Sequence, residues 1–152
     1  MYKFDDKVTL GVFAGIISNT VKNILENIAC WIDHTIHPLW HLATTFVLPL
    51  ENHDKIPNII IGIYADYTIA SILGIIIVFF IYYTSTKQYV LKGLIIGSAA
   101  WLLIYIPATQ FNISKIDPNT VSANIVYILS HLLLGIIAAW VIARYGKDAL
   151  SR

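Results

Sequence analysis

The sequence predicts an all-α integral membrane protein, a four-helix transmembrane bundle with a short interfacial or re-entrant helix between spans 1 and 2. Two features of the composition indicate this: 57% of the residues are hydrophobic and only 12% are charged, whereas soluble domains carry about 25% charged residues. The mean hydropathy of +0.70 agrees with them. The third observation is that the apolar residues gather in long stretches. We therefore expect residues 1–152 to form a single transmembrane domain.

The apolar stretches set the bounds of the predicted elements. The predicted spans cover about residues 8–30, 58–84, 89–109 and 120–143. Each is long enough for the roughly 20 residues that a helix needs to cross a bilayer core. The apolar piece between Pro38 and Pro49 is too short to cross, so residues 38–50 are expected to lie in, or re-enter, the outer leaflet. Pro38 suits the first turn of that helix, where no backbone N–H is needed.

Basic residues outside the spans predict the orientation. By the positive-inside rule, the side of the membrane that carries more lysine and arginine faces the cytoplasm. One side would hold Lys3, Lys7, Lys87, Lys92, Arg144, Lys147 and Arg152, and the other only Lys55 and Lys115. We therefore expect a multi-pass protein of the plasma (inner) membrane with both termini in the cytoplasm and the 33–57 loop outside. The net charge of +1 gives no reason to expect nucleic acid as a partner.

A polar stripe runs along the first predicted span. At about 100° per residue, Asn19, Lys22, Asn23 and Glu26 fall on one face of that helix. Because charged groups in a bilayer are costly unless they pair inside the bundle, we expect these side chains to meet polar groups of the other spans in one cluster. The predicted members of this polar cluster are Asn19, Lys22, Asn23, Glu26, Asp66, Asn124 and His131.

Depth in the bilayer predicts which members of the polar cluster pair. At about 1.5 Å of rise per residue, Lys22 lies roughly 21 Å from the cytoplasmic end of its span and Asp66 roughly 12 Å below the outer edge of its own. Both fall in the outer half of a core about 30 Å thick. We expect Lys22 to pair with Asp66 or Glu26, because an unpaired lysine there costs about 3 kcal/mol. His131 reaches the depth of Asn19, and a hydrogen bond between them is expected.

Small residues repeat every fourth position along each span, which lets helix backbones approach closely in lipid. The predicted packing residues are Gly11, Gly15, Gly62, Ala70, Gly74, Gly93, Gly97, Gly135 and Ala139. These ridges outnumber what a four-helix bundle needs internally. Besides the lipid bilayer, the expected partners are therefore a second copy of the chain or other membrane subunits.

A metal site on the outer face is a further hypothesis. His37 and His41 are four residues apart and Asp33 is near them, and two imidazoles with a carboxylate can bind one metal ion. Histidines at an interface also serve packing and headgroup contact. A bis-histidine haem would need two facing imidazoles in the bundle, where only His131 lies deep. Which cofactor the chain takes is thus open, and none is the leading expectation.

The chain resembles small four-span membrane proteins of Gram-positive bacteria, the YqhR-like group. The resemblance is carried by Gly11-x-x-x-Gly15, the polar run from Asn19 to Asn27, Lys92-Gly93 at the start of the third span and the long last helix. It covers most of the chain. It implies a bacterial plasma membrane, and it implies no activity and no catalytic residues.

Three functions remain open at this point. The motifs of serine hydrolases, P-loop proteins and dinucleotide-binding enzymes do not occur in the sequence, so the leading prediction is a small non-enzymatic subunit, oligomeric or accessory, of a membrane assembly. The second is an ion- or proton-coupled channel or transporter unit that uses the Lys/Asp/His cluster. The third is a metal- or haem-binding protein of the outer face.

Overall fold

The structure is a computed structural model that describes residues 4–34, 36–48, 55–107 and 120–151. Within these ranges all regular structure is helical, which confirms the predicted all-α class. The helices are α1 (Lys7–Ile32), α2 (Leu39–Val47), α3 (Ile56–Thr84), α4 (Tyr89–Ala100) with a π-helical continuation (Trp101–Tyr105), α5 (Val121–Tyr145) and α6 (Lys147–Leu150).

Three of the described helices, α1, α3 and α5, are long and apolar enough to cross a membrane. They match the predicted spans 8–30, 58–84 and 120–143 within two residues at each end. A shorter apolar helical stretch runs over Tyr89–Ile104 and consists of α4 with most of its π-helical continuation. Part of the predicted span 89–109 lies outside the described residues, so the count of four spans stays a prediction.

The ends of the helices follow local chemistry. Asp6 precedes α1 and its carboxylate accepts the Thr9 backbone N–H at 2.6 Å, which satisfies one of the free donors of the first turn. Thr120 does the same for α5 through the Ala123 N–H at 3.2 Å. Between α3 and α4 the chain reverses at Ser85, whose φ is 115°, so the connection from α3 to α4 is a tight turn.

Glycines bring the long helices close together. Helix α1 packs against both α3 and α5, α4 packs mainly against α5, and α2 packs against α3. A Cβ atom on Gly74 of α3 would run into the Gly11 carbonyl oxygen of α1, and one on Gly135 of α5 would run into the Gly93 carbonyl oxygen of α4. These pairs of helices therefore touch backbone to backbone, as small-residue ridges allow.

Every predicted packing residue is used within the chain. Gly11 and Gly15 face α3 around Ala70 and Gly74, Gly62 faces α2, and Gly93 and Gly97 face α5 at Gly135, His131 and Ala139. The excess of ridges that suggested a homo-oligomer is therefore not found. The expectation that these ridges outnumber what the bundle needs is wrong, because the spacing of small residues does not show how many neighbours each helix has. The homo-oligomer itself stays a prediction.

The short helix α2 is a packed part of the bundle. Leu42 is 1% exposed and Thr44 is fully buried, with Thr44 seated over Gly62 of α3. Leu42 also shares an apolar cluster with Tyr127 of α5, against which Trp101 of the π-helical segment packs. The predicted short element between spans 1 and 2 is thus a helix enclosed by the long helices on several sides.

Candidate functional site

Lys22 and Asp66 form a buried ion pair between α1 and α3. Lys22 Nζ donates to Asp66 Oδ1 at 2.8 Å. The other carboxylate oxygen, Oδ2, accepts Asn19 Nδ2 at 2.7 Å and Asn23 Nδ2 at 2.9 Å. One carboxylate of α3 is therefore bound by three donors of α1, and its charge is fully compensated.

The helix spacing explains why these side chains meet. Residues three and four positions apart share one face of a helix, so Asn19, Lys22 and Asn23 point the same way. Asp66 lies one turn before Ala70, whose backbone touches Gly15 of α1. The close crossing at the small residues brings the short Asp66 side chain within reach of α1.

Glu26 connects the polar cluster to α2. It lies one turn beyond Lys22 and is fully buried, and its Oε2 is 3.8 Å from Lys22 Nζ. The same oxygen accepts the backbone N–H of Leu39, the first residue of α2, at 2.8 Å. Pro38 offers α2 no side-chain cap, so the Glu26 carboxylate satisfies a free donor of its first turn and interacts favourably with the helix dipole.

The carboxylates of the polar cluster outnumber its lysine. With Glu26 and Asp66 both ionised, Lys22 leaves an uncompensated negative charge among these buried groups. Several buried acceptors also have no hydrogen-bond partner among the described residues, namely Asn19 Oδ1, Asn23 Oδ1, Glu26 Oε1 and Ser130 Oγ. Buried polar atoms are nearly always paired in proteins, so the site has capacity for a further proton, cation or water.

A cavity of about 60 Å³ lies beside the polar cluster. Asn19, Lys22, Asp66 and His131 line it, together with apolar residues of α2, α3 and α5. A water needs about 10–15 Å³ of such space and two or more polar partners. The cavity therefore has room for a few waters in contact with the ion pair.

His131 does not make the hydrogen bond expected of it. His131 Nδ1 lies 2.8 Å from the Tyr127 carbonyl oxygen of its own helix, and Asn19 gives its amide to Asp66, so the expected hydrogen bond between His131 and Asn19 is wrong. Asn124 donates to the Thr120 carbonyl oxygen at 3.0 Å, at the start of α5. Of the two, only His131 lines the cavity.

Two groups of the site were missed from the sequence. Ser130 is fully buried on α5 and lies near the Glu26 carboxylate, but its Oγ makes no hydrogen bond to a described residue. Ser130 lies on the same face of α5 as Tyr127 and Leu134, and this spacing could have indicated from the sequence that it faces the interior. The other group, the Leu39 backbone N–H, had no side-chain signal at all.

The predicted metal site has two histidines in contact. The His37 and His41 rings meet edge to face with centroids 5.4 Å apart, and Trp40 stacks on His41. Asp33 accepts a hydrogen bond from Ser122 at 3.4 Å. No group of three histidine, cysteine or acidic side chains that could hold a metal occurs in the part of the chain that the structure describes, so the metal hypothesis lacks a third ligand there.

Comparison of the chain with protein-family models, curated proteins and solved structures finds no match. The resemblance to YqhR-like proteins and the bacterial membrane that it implies therefore stay predictions. What the chain does has to follow from the chemistry of the polar cluster.

Proposed function

We propose that the chain is a small non-enzymatic protein that crosses the plasma membrane several times and acts as an ion- or proton-coupled channel or transporter unit. The apolar outer surface supports membrane insertion: Ile24, Ile72 and Leu103, from three different helical segments, are each more than half exposed. Large exposed aliphatic side chains on several faces are costly in water and favourable in lipid.

The topology that we propose has four crossings. Helices α1, α3 and α5 make three of them, and α4 with its π-helical continuation makes the fourth. Helix α2 re-enters the outer half of the bilayer, since non-helical backbone at membrane depth is tolerated where protein buries it. Both termini face the cytoplasm, in line with the distribution of basic residues.

Orientation can be tested with an impermeant maleimide on intact cells. In a Cys30→Ser background, Lys55→Cys should react from outside, whereas Lys147→Cys should react only after the cells are opened. Labelling of Lys147→Cys in intact cells would contradict the orientation.

The buried excess of negative charge carries the functional proposal. A purely structural ion pair needs one carboxylate for Lys22, and Asp66 already serves it at 2.8 Å. Glu26 adds a second carboxylate 3.8 Å from Lys22, which lines the cavity, and ionisable groups inside a bilayer usually mark ion or proton pathways. An incoming cation or proton would neutralise this site.

Flux in proteoliposomes tests the proposal. A membrane potential should drive proton or monovalent cation flux through the reconstituted wild-type protein above the level of empty liposomes, and Asp66→Asn should abolish it. Asp5→Asn is the matched control, because Asp5 is an exposed carboxylate ahead of α1, and it should leave flux unchanged. Equal flux in wild-type and empty liposomes would contradict the proposal.

An accessory subunit is the second candidate, and a groove between α1 and α3 favours it. Thr20, Asn27 and Trp31 of α1 line this groove with Tyr67 of α3, and the Thr20 and Tyr67 hydroxyls are 2.9 Å apart. Polar side chains on a lipid-facing surface commonly contact another helix. Native mass in mild detergent tests it: a multimer or a partner that Asn27→Leu releases would support this role.

A further inference from the structure

We infer that the ion of this site is a proton, carried on Oε1 of Glu26 and shared with the Ser130 hydroxyl. The inference rests on the proposed function, because it names the ion that the coupled unit would use. It makes Glu26 the proton-binding group of the chain and Asp66 a permanently ionised partner of Lys22.

The charges facing Glu26 from each neighbouring helix favour this division of roles. On its own helix stands Lys22, and α3 contributes Asp66. Tyr67 of α3 and His131 of α5 lie near Lys22. Helix α2 contributes the Leu39 N–H and carries His41 in its first turn. Lys22 is the cation, and its Nζ lies 2.8 Å from Asp66 but 3.8 Å from Glu26.

Hydrogen bonding separates the two carboxylates in the same way. Both oxygens of Asp66 accept hydrogen bonds from charged or amide donors, which favours its ionised form. Glu26 has one such bond, and its Oε1 has no partner among the described residues. A proton on Oε1 removes the uncompensated charge and supplies a donor for Ser130 Oγ, which also lacks a partner there.

The cavity provides a route for this proton. Glu26 does not line it, but Lys22 and Asp66 do, and Lys22 Nζ is 3.8 Å from Glu26 Oε2. In the loading step the Lys22 ammonium gives a proton to the Glu26 carboxylate and regains one from a hydronium in the cavity. The carboxylate becomes a carboxylic acid, the ammonium is restored and water remains. The unloading step is the reverse.

Proton loading would also act on α2. In the ionised state Glu26 Oε2 accepts the Leu39 N–H as a charge-assisted hydrogen bond, which is roughly twice as strong as a neutral one. Protonation removes that assistance and the favourable charge at the N-terminus of α2. The hydrogen bond between Glu26 and the first turn of α2 therefore weakens when the proton binds. Proton binding is in this way coupled to the position of α2, which lines one side of the cavity.

Infrared spectroscopy of the reconstituted protein tests the site directly. The wild-type protein should show the carbonyl band of a protonated carboxylic acid that disappears as the pH is raised. Glu26→Gln should lose this band and the exposed control Asp5→Asn should keep it. Asp66→Asn should also lose it, because Lys22 then pairs with an ionised Glu26. Ser130→Ala should shift the band to higher frequency, because the acid loses its hydrogen-bond acceptor. This shift would assign the band to Glu26 even if Glu26→Gln fails to fold.

Flux measurements separate this inference from the proposed function. A band at Glu26 without flux would support the proton site and overturn the transport role. If Asp66→Asn abolishes flux but Glu26→Gln leaves it unchanged, the inference about Glu26 is overturned and the transport role is retained. No carboxylic acid band in the wild-type protein at any pH, or a band that persists in Glu26→Gln, would also overturn the inference.

Discussion

Glu26 of α1 accepts the backbone N–H of Leu39, the first residue of α2, at 2.8 Å. This hydrogen bond joins the polar cluster to α2, whose 9 residues are too few to cross a bilayer. Since Pro38 supplies no cap, the seating of α2 depends on a carboxylate of a different helix. A change of charge at Glu26 should therefore change how firmly α2 is bound to the bundle.

Removing this acceptor should loosen α2. In a Cys30→Ser, Thr44→Cys protein, the cysteine replaces a fully buried residue of α2. Adding Glu26→Ala removes a hydrogen bond to a charged group, worth about 1.5–3 kcal/mol, so maleimide labelling of the cysteine should become at least about tenfold faster. Glu26→Gln keeps an acceptor and should have a smaller effect. Equal labelling rates in all these proteins would show that Glu26 does not hold α2.

Lys22 and Asp66 should behave as a pair in mutational analysis. Lys22→Leu leaves the Asp66 charge buried without its cation, and breaking a buried pair in this way costs about 3–5 kcal/mol. The yield of folded protein should fall accordingly, and the double variant Lys22→Leu, Asp66→Leu should recover it. The measurement is the monodisperse fraction in detergent. A double variant worse than the sum of the two single variants would argue against the pair.

The sequence predicted the meeting of Lys22 and Asp66 for a simple reason. The rise of a helix is constant, so depth along two spans can be compared without knowing how the helices pack. Rotation about the axis is different: α3 and α5 are apolar nearly all round, and hydropathy does not show which face of α5 meets α1. For this reason the predicted contact of His131 with Asn19 was wrong, and Ser130 was not predicted as part of the site.

The rest of the site depends on the placement of α2. Its length and its flanking prolines predicted a short helix, but the neighbours that enclose it are far away in the sequence. The Glu26 contact uses a backbone N–H, which no pattern of side chains reveals. The π-helical segment at Trp101–Tyr105 also had no signal, because its residues are as apolar as those of the α-helix before it.

The crossing of α1 and α3 should tolerate no side chain at Gly74. A Cβ there would collide with the Gly11 carbonyl oxygen and the Gly15 backbone, so Gly74→Ala has to push the helices apart. Overpacking of this kind costs about 1–3 kcal/mol, and it also draws Asp66 away from Lys22. Thermal loss of helical circular dichroism should therefore occur at a lower temperature. Thr68→Ala, an exposed change on α3, is the control, and identical melting of the two variants would refute the close crossing.

The first turn of α1 should depend on pH through Asp6. The hydrogen bonds from the Thr9 backbone N–H and hydroxyl hold the pKa of Asp6 below its ordinary value of 3.8. Because the pKa is lower in the folded state, the cap stabilises the turn at neutral pH and is lost as the pH falls through that lowered value. Exchange of the Thr9 amide hydrogen, relative to its intrinsic rate, should therefore speed up below about pH 4. Asp6→Ala should exchange fast at every pH, whereas Asp5→Ala should follow the wild type; a wild-type rate ratio that does not change with pH would exclude this cap.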